Sequence, residues 1–207
     1  WQPWSFHDES DTLVGYDVEV SRAIAEKLGV EPEYVESDWD SLFAGLDAGR
    51  YDLVCNGVEV TEERAKTYDF TTPYGYIHTA LAVRKDNDDI KSVDDLADKN
   101  VAVQSGSNGP AILEEFAPKA SQQEFKTDEE ARQALQQGRV DAYVIDNNMQ
   151  QSALVREPGK YKIAGKPFGS KEPYGIGLPL DSDGVAFVND FLKKIEDDGT
   201  WIELWQI

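Results

Sequence analysis

A seven-residue pattern, Leu-x-x-Gly-Arg-x-Asp, occurs twice in the 207-residue chain, at 46–52 and again at 135–141. In both copies an amphipathic segment precedes the glycine, a residue that commonly ends helices, and an apolar run follows the aspartate. Each copy therefore predicts a helix that turns directly into a strand. Two copies are too few for a solenoid, which needs three or more repeats, and they indicate two α/β units of similar design.

Helix and strand patterns alternate along the rest of the chain. Helices are predicted from Asp17 to Gly29 and over 185–195, where apolar residues recur at helical spacing. Strands are short runs rich in apolar residues, and they are predicted at 33–35, 53–55, 100–104 and 140–146. The alternation predicts an α/β fold with parallel-rich sheets, whose ligand sites lie at the carboxyl ends of strands.

Composition argues against several classes of function. Forty acidic residues against 20 basic ones give a formal net charge of −20, which argues against nucleic acid and anionic membrane surfaces as partners. No apolar run approaches the roughly 20 residues of a membrane span. No signal peptide is present, and we expect the sequence to begin after one. The single cysteine, Cys55, permits no internal disulfide and is expected in the core.

The segment 52–64 carries the first candidate site. Its apolar run ends in Asn56 and Gly57, a pair suited to an abrupt bend, and Thr61 is a good helix N-cap. Arg64 then falls on the first turn of the predicted helix. Free backbone N–H groups and a guanidinium fork together suit a carboxylate ligand. The alternative is that Arg64 pairs with a nearby acidic side chain.

A second group of candidates lies at predicted strand ends in the other half of the chain. Arg64, with the backbone of Gly57 and Asn108, could bind the carboxylate of an amino acid, and Asp146 could bind its ammonium group. Asp146 ends an apolar strand, where a carboxylate without a partner would be costly. The alternative for Asp146 is the N-cap of a following helix. Trp1 and Trp39 could supply flat apolar walls, or could be core residues.

Patterns typical of enzymes and metal sites are lacking in the sequence. His7 and His78 are the two histidines, and neither lies in metal-ligand spacing. No calcium-binding loop, Gly-x-Ser-x-Gly elbow or Walker phosphate loop occurs. We therefore expect no catalytic residue, no metal and no cofactor.

Eight short segments follow one another along nearly the whole chain: PWSF at 3–6, GYDV at 15–18, WDSL at 39–42, GRYD at 49–52, VTEER at 60–64, DFTTPY at 69–74, DDL at 94–96 and GRVD at 138–141. Together they resemble the family-3 extracytoplasmic solute-binding proteins, the polar amino-acid-binding components of ABC importers. The resemblance implies a two-lobe periplasmic-binding-protein (Venus-flytrap) fold of type II with two hinge strands. The lobes would comprise 1–79 plus 173–207, and 80–172.

The resemblance also implies roles for particular residues. On the family's pattern Arg64 binds the ligand α-carboxylate and Asp146 binds the α-ammonium. The residues implied to assist them are Trp1, Trp39, Asn56, Gly57, Ser107 and Asn108, the two tryptophans by sandwiching the ligand side chain. The protein would be a monomer that closes on an amino acid and delivers it to the importer's membrane subunits. Its location would be extracytoplasmic, either periplasmic or lipid-anchored.

Two positions depart from the family's pattern. Glu59 stands where the family often has Ser or Thr, and a carboxylate beside the ligand would repel an acidic amino acid. We therefore expect a neutral polar, cationic or cystine-like ligand. The alternative is that Glu59 points away and binds a surface base. Asn108 replaces a smaller residue or Thr, so its side-chain role is open.

Two other functions remain open on this scaffold. The domain could be the ligand sensor of a membrane receptor kinase, in which case a transmembrane helix would follow in the complete protein. It could also be an enzyme similar to cyclohexadienyl dehydratase, which needs a general acid in the cleft. Glu59 is the candidate for that acid.

Overall fold

The computed structural model of the protein describes residues 1–204, which divide into two compact units. Unit 1 comprises Trp1–Ser37, Leu42–Tyr76 and the described residues from Glu172 onward. Unit 2 comprises Asp38–Ser41 and Ile77–Lys171. Among the described residues, no helix combines the length and the apolar character that a membrane span requires.

Ten strands and seven α-helices are present in the described part of the chain. The strands are β1 (Phe6–His7), β2 (Leu13–Val14), β3 (Tyr68–Phe70), β4 (Gly75–Arg84), β5 (Asn100–Gln104), β6 (Ser121–Phe125), β7 (Ala142–Asp146), β8 (Tyr161–Ile163), β9 (Phe168–Tyr174) and β10 (Gly177–Pro179). The helices are α1 (Tyr16–Leu28), α2 (Leu42–Asp47), α3 (Gly109–Phe116), α4 (Asp128–Gln136), α5 (Asn147–Arg156), α6 (Gly184–Asp198) and α7 (Thr200–Leu204). Short 3₁₀ helices lie at Trp39–Ser41, Arg64–Lys66 and Val93–Leu96.

Unit 1 contains two antiparallel strand pairs, β1 with β2 and β3 with β10, together with α1, α2, α6 and α7. Helix α1 buries Val20 and Ile24 on one face, because these residues are four positions apart. Gly29 ends the helix in the left-handed conformation at φ 72°. The predicted helix from Asp17 to Gly29 is confirmed within one residue at each end.

Unit 2 is built on a mixed sheet with the strand order β6-β5-β7-β4-β8, and β9 pairs with β4. Strand β5 is parallel to both of its neighbours, whereas β4 is antiparallel to β7 and β8. Apolar side chains of the sheet and the adjoining segments form the core, among them Leu81, Leu96, Val101, Val103 and Val144. The predicted parallel pairing is therefore correct for β6, β5 and β7. This part of the sheet includes the strand ends at Gln104 and Asp146.

Two strands pass from one unit into the other. Strand β4 begins in unit 1 at Gly75 and continues into unit 2, and β9 begins in unit 2 and ends in unit 1 at Tyr174. These two connections correspond to the two hinge strands that the resemblance implies.

Two predicted strands are wrong. Residues 33–35 are irregular, and Tyr34 and Val35 are exposed, because no described strand pairs with them. The run 53–55 is reduced to one antiparallel bridge between Val54 and Gly177. An apolar run becomes a strand only where a neighbour satisfies its backbone along its length. For 33–35 no described strand does so, and for 53–55 the pairing is confined to Val54, which exchanges both backbone hydrogen bonds with Gly177.

Candidate functional site

The segment after Val54 positions the candidate carboxylate-binding residue of unit 1. The hydroxyl oxygen of Thr61 accepts the backbone N–H of Arg64 at 3.2 Å, and Arg64 begins a 3₁₀ helix that ends at Lys66. Thr61 thus accepts a backbone N–H as a cap would, but the predicted N-cap position is wrong, because the N-cap residue of this single turn is Glu63. The backbone N–H of Val60 donates to the carbonyl of Pro173 at 2.9 Å, which fixes the segment to the rest of unit 1.

Arg64 is paired with Glu59. Its Nη1 donates to the Glu59 carboxylate Oε2 at 3.0 Å and to the Glu59 carbonyl oxygen at 3.0 Å. The side chain of Arg64 is 16% exposed and that of Glu59 only 3%. The guanidinium carbon also lies 5.5 Å from the ring centre of Phe43, within cation–π distance. Both protons of Nη1 are thus directed at one residue, which fixes the guanidinium plane.

This pairing bears on two alternatives that the sequence left open. Arg64 does pair with a nearby acidic side chain, and the binding of a carboxylate ligand by Arg64 stays a prediction. The alternative that Glu59 points away and binds a surface base is wrong, because its partner is the largely buried guanidinium of Arg64. The pair is five residues apart and includes a main-chain contact, so it was within reach of sequence reasoning.

Gly57 does not offer the free N–H that the sequence suggested. Its N–H donates to Oδ2 of Asp17, and the hydroxyl of Tyr74 donates to Oδ1 of the same carboxylate at 3.0 Å. Asp17 is 1% exposed. Burial raises the pKa of Asp17 to about 7, although the hydrogen bonds from Gly57 and Tyr74 act in the opposite direction. The prediction of a free donor at Gly57 is wrong for this reason.

Asn56 and Trp1 lie near this bend as parts of the framework of unit 1. Asn56 is buried, and its Oδ1 accepts the hydroxyl of Ser5 at 2.8 Å. The carbonyl of the half-buried Trp1 accepts the backbone N–H of Trp4 at 2.8 Å. Gly57 has φ +58°, and a Cβ there would lie 2.7 Å from the Trp4 ring. Glycine is therefore required at this position.

In unit 2, Trp39 meets the loop that follows β5. Its indole Nε1 donates to the carbonyl of Gly106 at 3.2 Å. The Ser107 hydroxyl donates to the Gln104 carbonyl at 2.7 Å and accepts the N–H of Gly109 at 3.1 Å. Asn108 occupies the N-cap position of α3 without a capping hydrogen bond from its side chain. The structure thus brings Trp39 together with the 105–109 loop.

Asp146 is the last residue of β7 and the N-cap residue of α5. It lies opposite Thr79 of β4, and its half-buried side chain makes no capping hydrogen bond. The alternative that Asp146 is the N-cap residue of the following helix is therefore confirmed in position, although its side chain makes no capping hydrogen bond. Its place at the carboxyl end of a buried strand is the one that the sequence predicted.

The candidate residues thus form a separate group in each unit. Unit 1 holds the bend and the ion pair, and unit 2 holds Trp39, the 105–109 loop and Asp146. The contact of Asp17 with this bend was not foreseen, because its partner Gly57 is 40 residues away and a buried acid has no local sequence signal. Within residues 1–204, no cluster of three or more His, Cys, Asp or Glu side chains could hold a metal ion.

Comparison with known proteins gives one consistent family. Residues 1–206 match the profile of bacterial extracellular solute-binding proteins, family 3. The probable amino-acid-binding protein YxeM of Bacillus subtilis is 35% identical over 94% of this chain and 75% of its own length. The L-cystine-binding protein TcyJ of Escherichia coli K12 is 32% identical over 97% of this chain and 76% of its own length.

Solved structures agree with this assignment. An ancestral arginine-binding protein bound to glutamine superimposes with a TM-score of 0.93 at 38% identity, covering 99% of this chain and 92% of that one. The ancestral amino acid-binding protein AncCDT-1, described as a precursor of cyclohexadienyl dehydratase, superimposes with a TM-score of 0.92 at 33% identity. The match covers 100% of this chain and 90% of that one.

Proposed function

The chain belongs to family 3 of the bacterial extracellular solute-binding proteins, and on that premise we propose that it captures a polar amino acid outside the cytoplasm for an ABC importer. The resemblance seen in the sequence and the two-lobe Venus-flytrap α/β fold class are both confirmed. Delivery to the importer's membrane subunits, action as a monomer, and a periplasmic or lipid-anchored location complete the proposal. Relatives named as amino-acid-binding proteins support it.

The observation that carries the proposal is the fixed guanidinium of Arg64. Nη1 is held by Glu59, and the guanidinium carbon lies over the ring of Phe43. A guanidinium whose orientation is already set loses little entropy when it binds a planar carboxylate through two parallel hydrogen bonds. We propose that Arg64 binds the α-carboxylate of the ligand and that Asp146 of unit 2 binds its α-ammonium.

The charges of these residues select among amino acids. Arg64 carries one positive charge, and Glu59 and Asp146 carry one negative charge each, so the three sum to −1. The α-groups of an amino acid cancel one another. Negative charge is therefore in excess among these three residues, which favours a ligand with a cationic side chain and disfavours one with an acidic side chain. The proposed ligand is cationic, with neutral polar and cystine-like amino acids next. Relatives described as binding cystine, arginine and glutamine support this range.

Titration calorimetry with a panel of amino acids tests this proposal. The panel comprises L-arginine, L-lysine, L-cystine, L-glutamine, L-glutamate and L-aspartate. We expect binding of at least one of the first four and no measurable heat with the two acidic ligands. Tight binding of glutamate or aspartate together with no response to the other four would refute the ligand class. The absence of any binding would refute the amino-acid function.

A catalytic role would depend on Glu59 as a general acid. The carboxylate is buried against Arg64, so proton donation would require the ion pair to break first. We propose that the protein is a binder without catalytic activity. Incubation with prephenate and with arogenate checks this, since turnover of either compound would establish the dehydratase-like alternative.

A further inference from the structure

The side chain of Asp17 joins three parts of unit 1 that are distant in sequence. Asp17 lies in the first turn of α1, and its carboxylate accepts the N–H of Gly57, 40 residues away, and the hydroxyl of Tyr74, 57 residues away. A buried carboxylate is tolerated only when such donors satisfy its oxygens. The contacts therefore set the geometry of all three parts at once.

The bend at Gly57 has little freedom to move. Asp17 holds its N–H, and a Cβ at Gly57 would lie 2.7 Å from the indole of Trp4, which shows how closely the backbone approaches that ring. The chain then runs through Val58, which is fully buried, to Glu59. Because Glu59 binds Arg64 through both its carboxylate and its carbonyl, displacement of the bend moves the guanidinium as well.

Tyr74, the second donor to the Asp17 carboxylate, lies next to the strands that pass from one unit into the other. Tyr74 immediately precedes β4, and its ring packs edge-on against Tyr174, the last residue of β9, with 4.7 Å between ring centres. A Cβ on Gly75 would lie 2.1 Å from the Tyr174 hydroxyl, so the packing at this point is tight. Through Tyr74, the Asp17 carboxylate is thus connected to the residue that precedes β4 and to the last residue of β9.

We propose that Asp17 is a positioning residue for the amino-acid site: its ionised carboxylate holds the bend at Gly57, and through it the Glu59–Arg64 pair, so that protonation of Asp17 loosens the pair and weakens ligand binding. The effect of Asp17 on ligand binding rests on the proposed function, whereas its effect on the bend and on the Glu59–Arg64 pair is independent of that function.

The groups that face Asp17 stay neutral near the pH at which Asp17 changes charge. These groups are the hydroxyl of Tyr74 and the thiol of Cys55, whose Sγ lies 3.7 Å from the Asp17 carbonyl. Burial raises the pKa of Tyr74 and of Cys55 well above their ordinary values, and the neighbouring Tyr174 and Asp17 raise that of Tyr74 further. The pKa of Asp17 itself is about 7.

The first experiment needs no ligand. The ¹⁵N–¹H signals of the Gly57 amide and of Arg64 Nε are followed from pH 5.5 to 8.5 in a background with both histidines replaced, His7→Gln and His78→Gln. We expect the two signals to titrate together with a midpoint near neutral pH, and to be flat when Asp17→Asn is added. Tyr74→Phe is expected to move the midpoint to higher pH, because it removes a donor to the charged form. This variant decides the matter if Asp17→Asn fails to fold. A Gly57 signal that does not titrate, or an Arg64 signal that does not follow it, overturns the proposal.

The second experiment adds L-arginine as the probe. We expect its Kd in the same background to rise several-fold between pH 8 and pH 6, by at most about tenfold per pH unit because one proton is linked to binding. The rise should vanish with Asp17→Asn. A pH-independent Kd overturns the proposal even if Gly57 titrates. If L-arginine does not bind at any pH, the proposed ligand fails, and the joint titration of Gly57 and Arg64 still decides whether Asp17 positions the pair.

Discussion

The carboxylate of Glu59 lies 3.0 Å from Nη1 of Arg64, and both side chains are largely withdrawn from solvent. A half-exposed arginine could be removed without consequence for the fold, whereas this one neutralises a buried charge. The pair therefore links the stability of unit 1 to its proposed role in binding a carboxylate.

Arg64→Ala is expected to lower the free energy of unfolding by about 3 kcal/mol, because it leaves the Glu59 carboxylate buried without its cation. Chemical denaturation measures this. The matched control is Glu59→Gln, and the double variant should be more stable than Arg64→Ala alone. Equal stabilities of Arg64→Ala and wild-type protein would show that the pair contributes nothing.

Gly57→Ala is expected to be more costly than the same substitution at Gly29. Both glycines have positive φ, +58° and +72°, so each alanine carries a backbone cost of about 1 kcal/mol. At Gly29 the new Cβ meets nothing within 4 Å, whereas at Gly57 it lies 2.7 Å from the Trp4 ring. Urea unfolding of the two variants should differ by 1 kcal/mol or more, on the order of a small overpacking penalty. Equal losses would contradict the close packing of the bend against Trp4.

Asp17 is expected to make unit 1 less stable as the pH rises. Its folded-state pKa of about 7 lies above the ordinary value of 3.8, so its stabilising contribution is complete below about pH 4 and is lost as the pH rises through 7. The difference between the two pKa values corresponds to about 4 kcal/mol. The free energy of unfolding of wild-type protein minus that of Asp17→Asn should therefore fall between pH 4 and pH 8. A difference that rises with pH would show that the carboxylate is stabilised by its surroundings.

Asp146→Asn is expected to weaken amino-acid binding by about 3 kcal/mol, more than a hundredfold in Kd, because it removes the negative charge that the ammonium would meet. Calorimetry with L-arginine measures the change. Asp88→Asn is the control, since Asp88 is exposed and pairs with Lys162 on the surface of unit 2. Similar affinities for the two variants would remove Asp146 from the proposed site.

Local signals in the sequence were sufficient for most helices and for the family. Thr127 caps α4 by accepting the N–H of Glu130, and Gly199 ends α6 in the left-handed conformation, as residue types at helix ends predict. Residues 33–35 show where such local signals fail. Their composition fits a strand, but no described strand pairs with them. Strand formation depends on a partner, which local composition does not reveal.

The sequence identified candidate residues for the site but not all of their contacts. Arg64, Glu59 and Gly57 were all singled out, yet the sequence offered the N–H of Gly57 to a ligand when Asp17 already accepts it. That contact depends on the three-dimensional proximity of α1 and the 52–64 segment. Reasoning from local pattern identifies which groups are chemically suitable, and long-range packing decides which of them are already engaged.

The binding of an amino-acid carboxylate by Arg64 can be tested by comparing L-arginine with its decarboxylated analogue agmatine. Both affinities are measured by calorimetry in Glu59→Gln and in Glu59→Gln/Arg64→Met, so that the removal of Arg64 does not leave the buried Glu59 carboxylate without its cation. We expect Glu59→Gln to prefer L-arginine over agmatine by about a hundredfold, the worth of a charge-assisted bidentate pair, and the double variant to lose most of this preference. An undiminished preference for L-arginine after the loss of Arg64 would show that Arg64 does not bind the carboxylate.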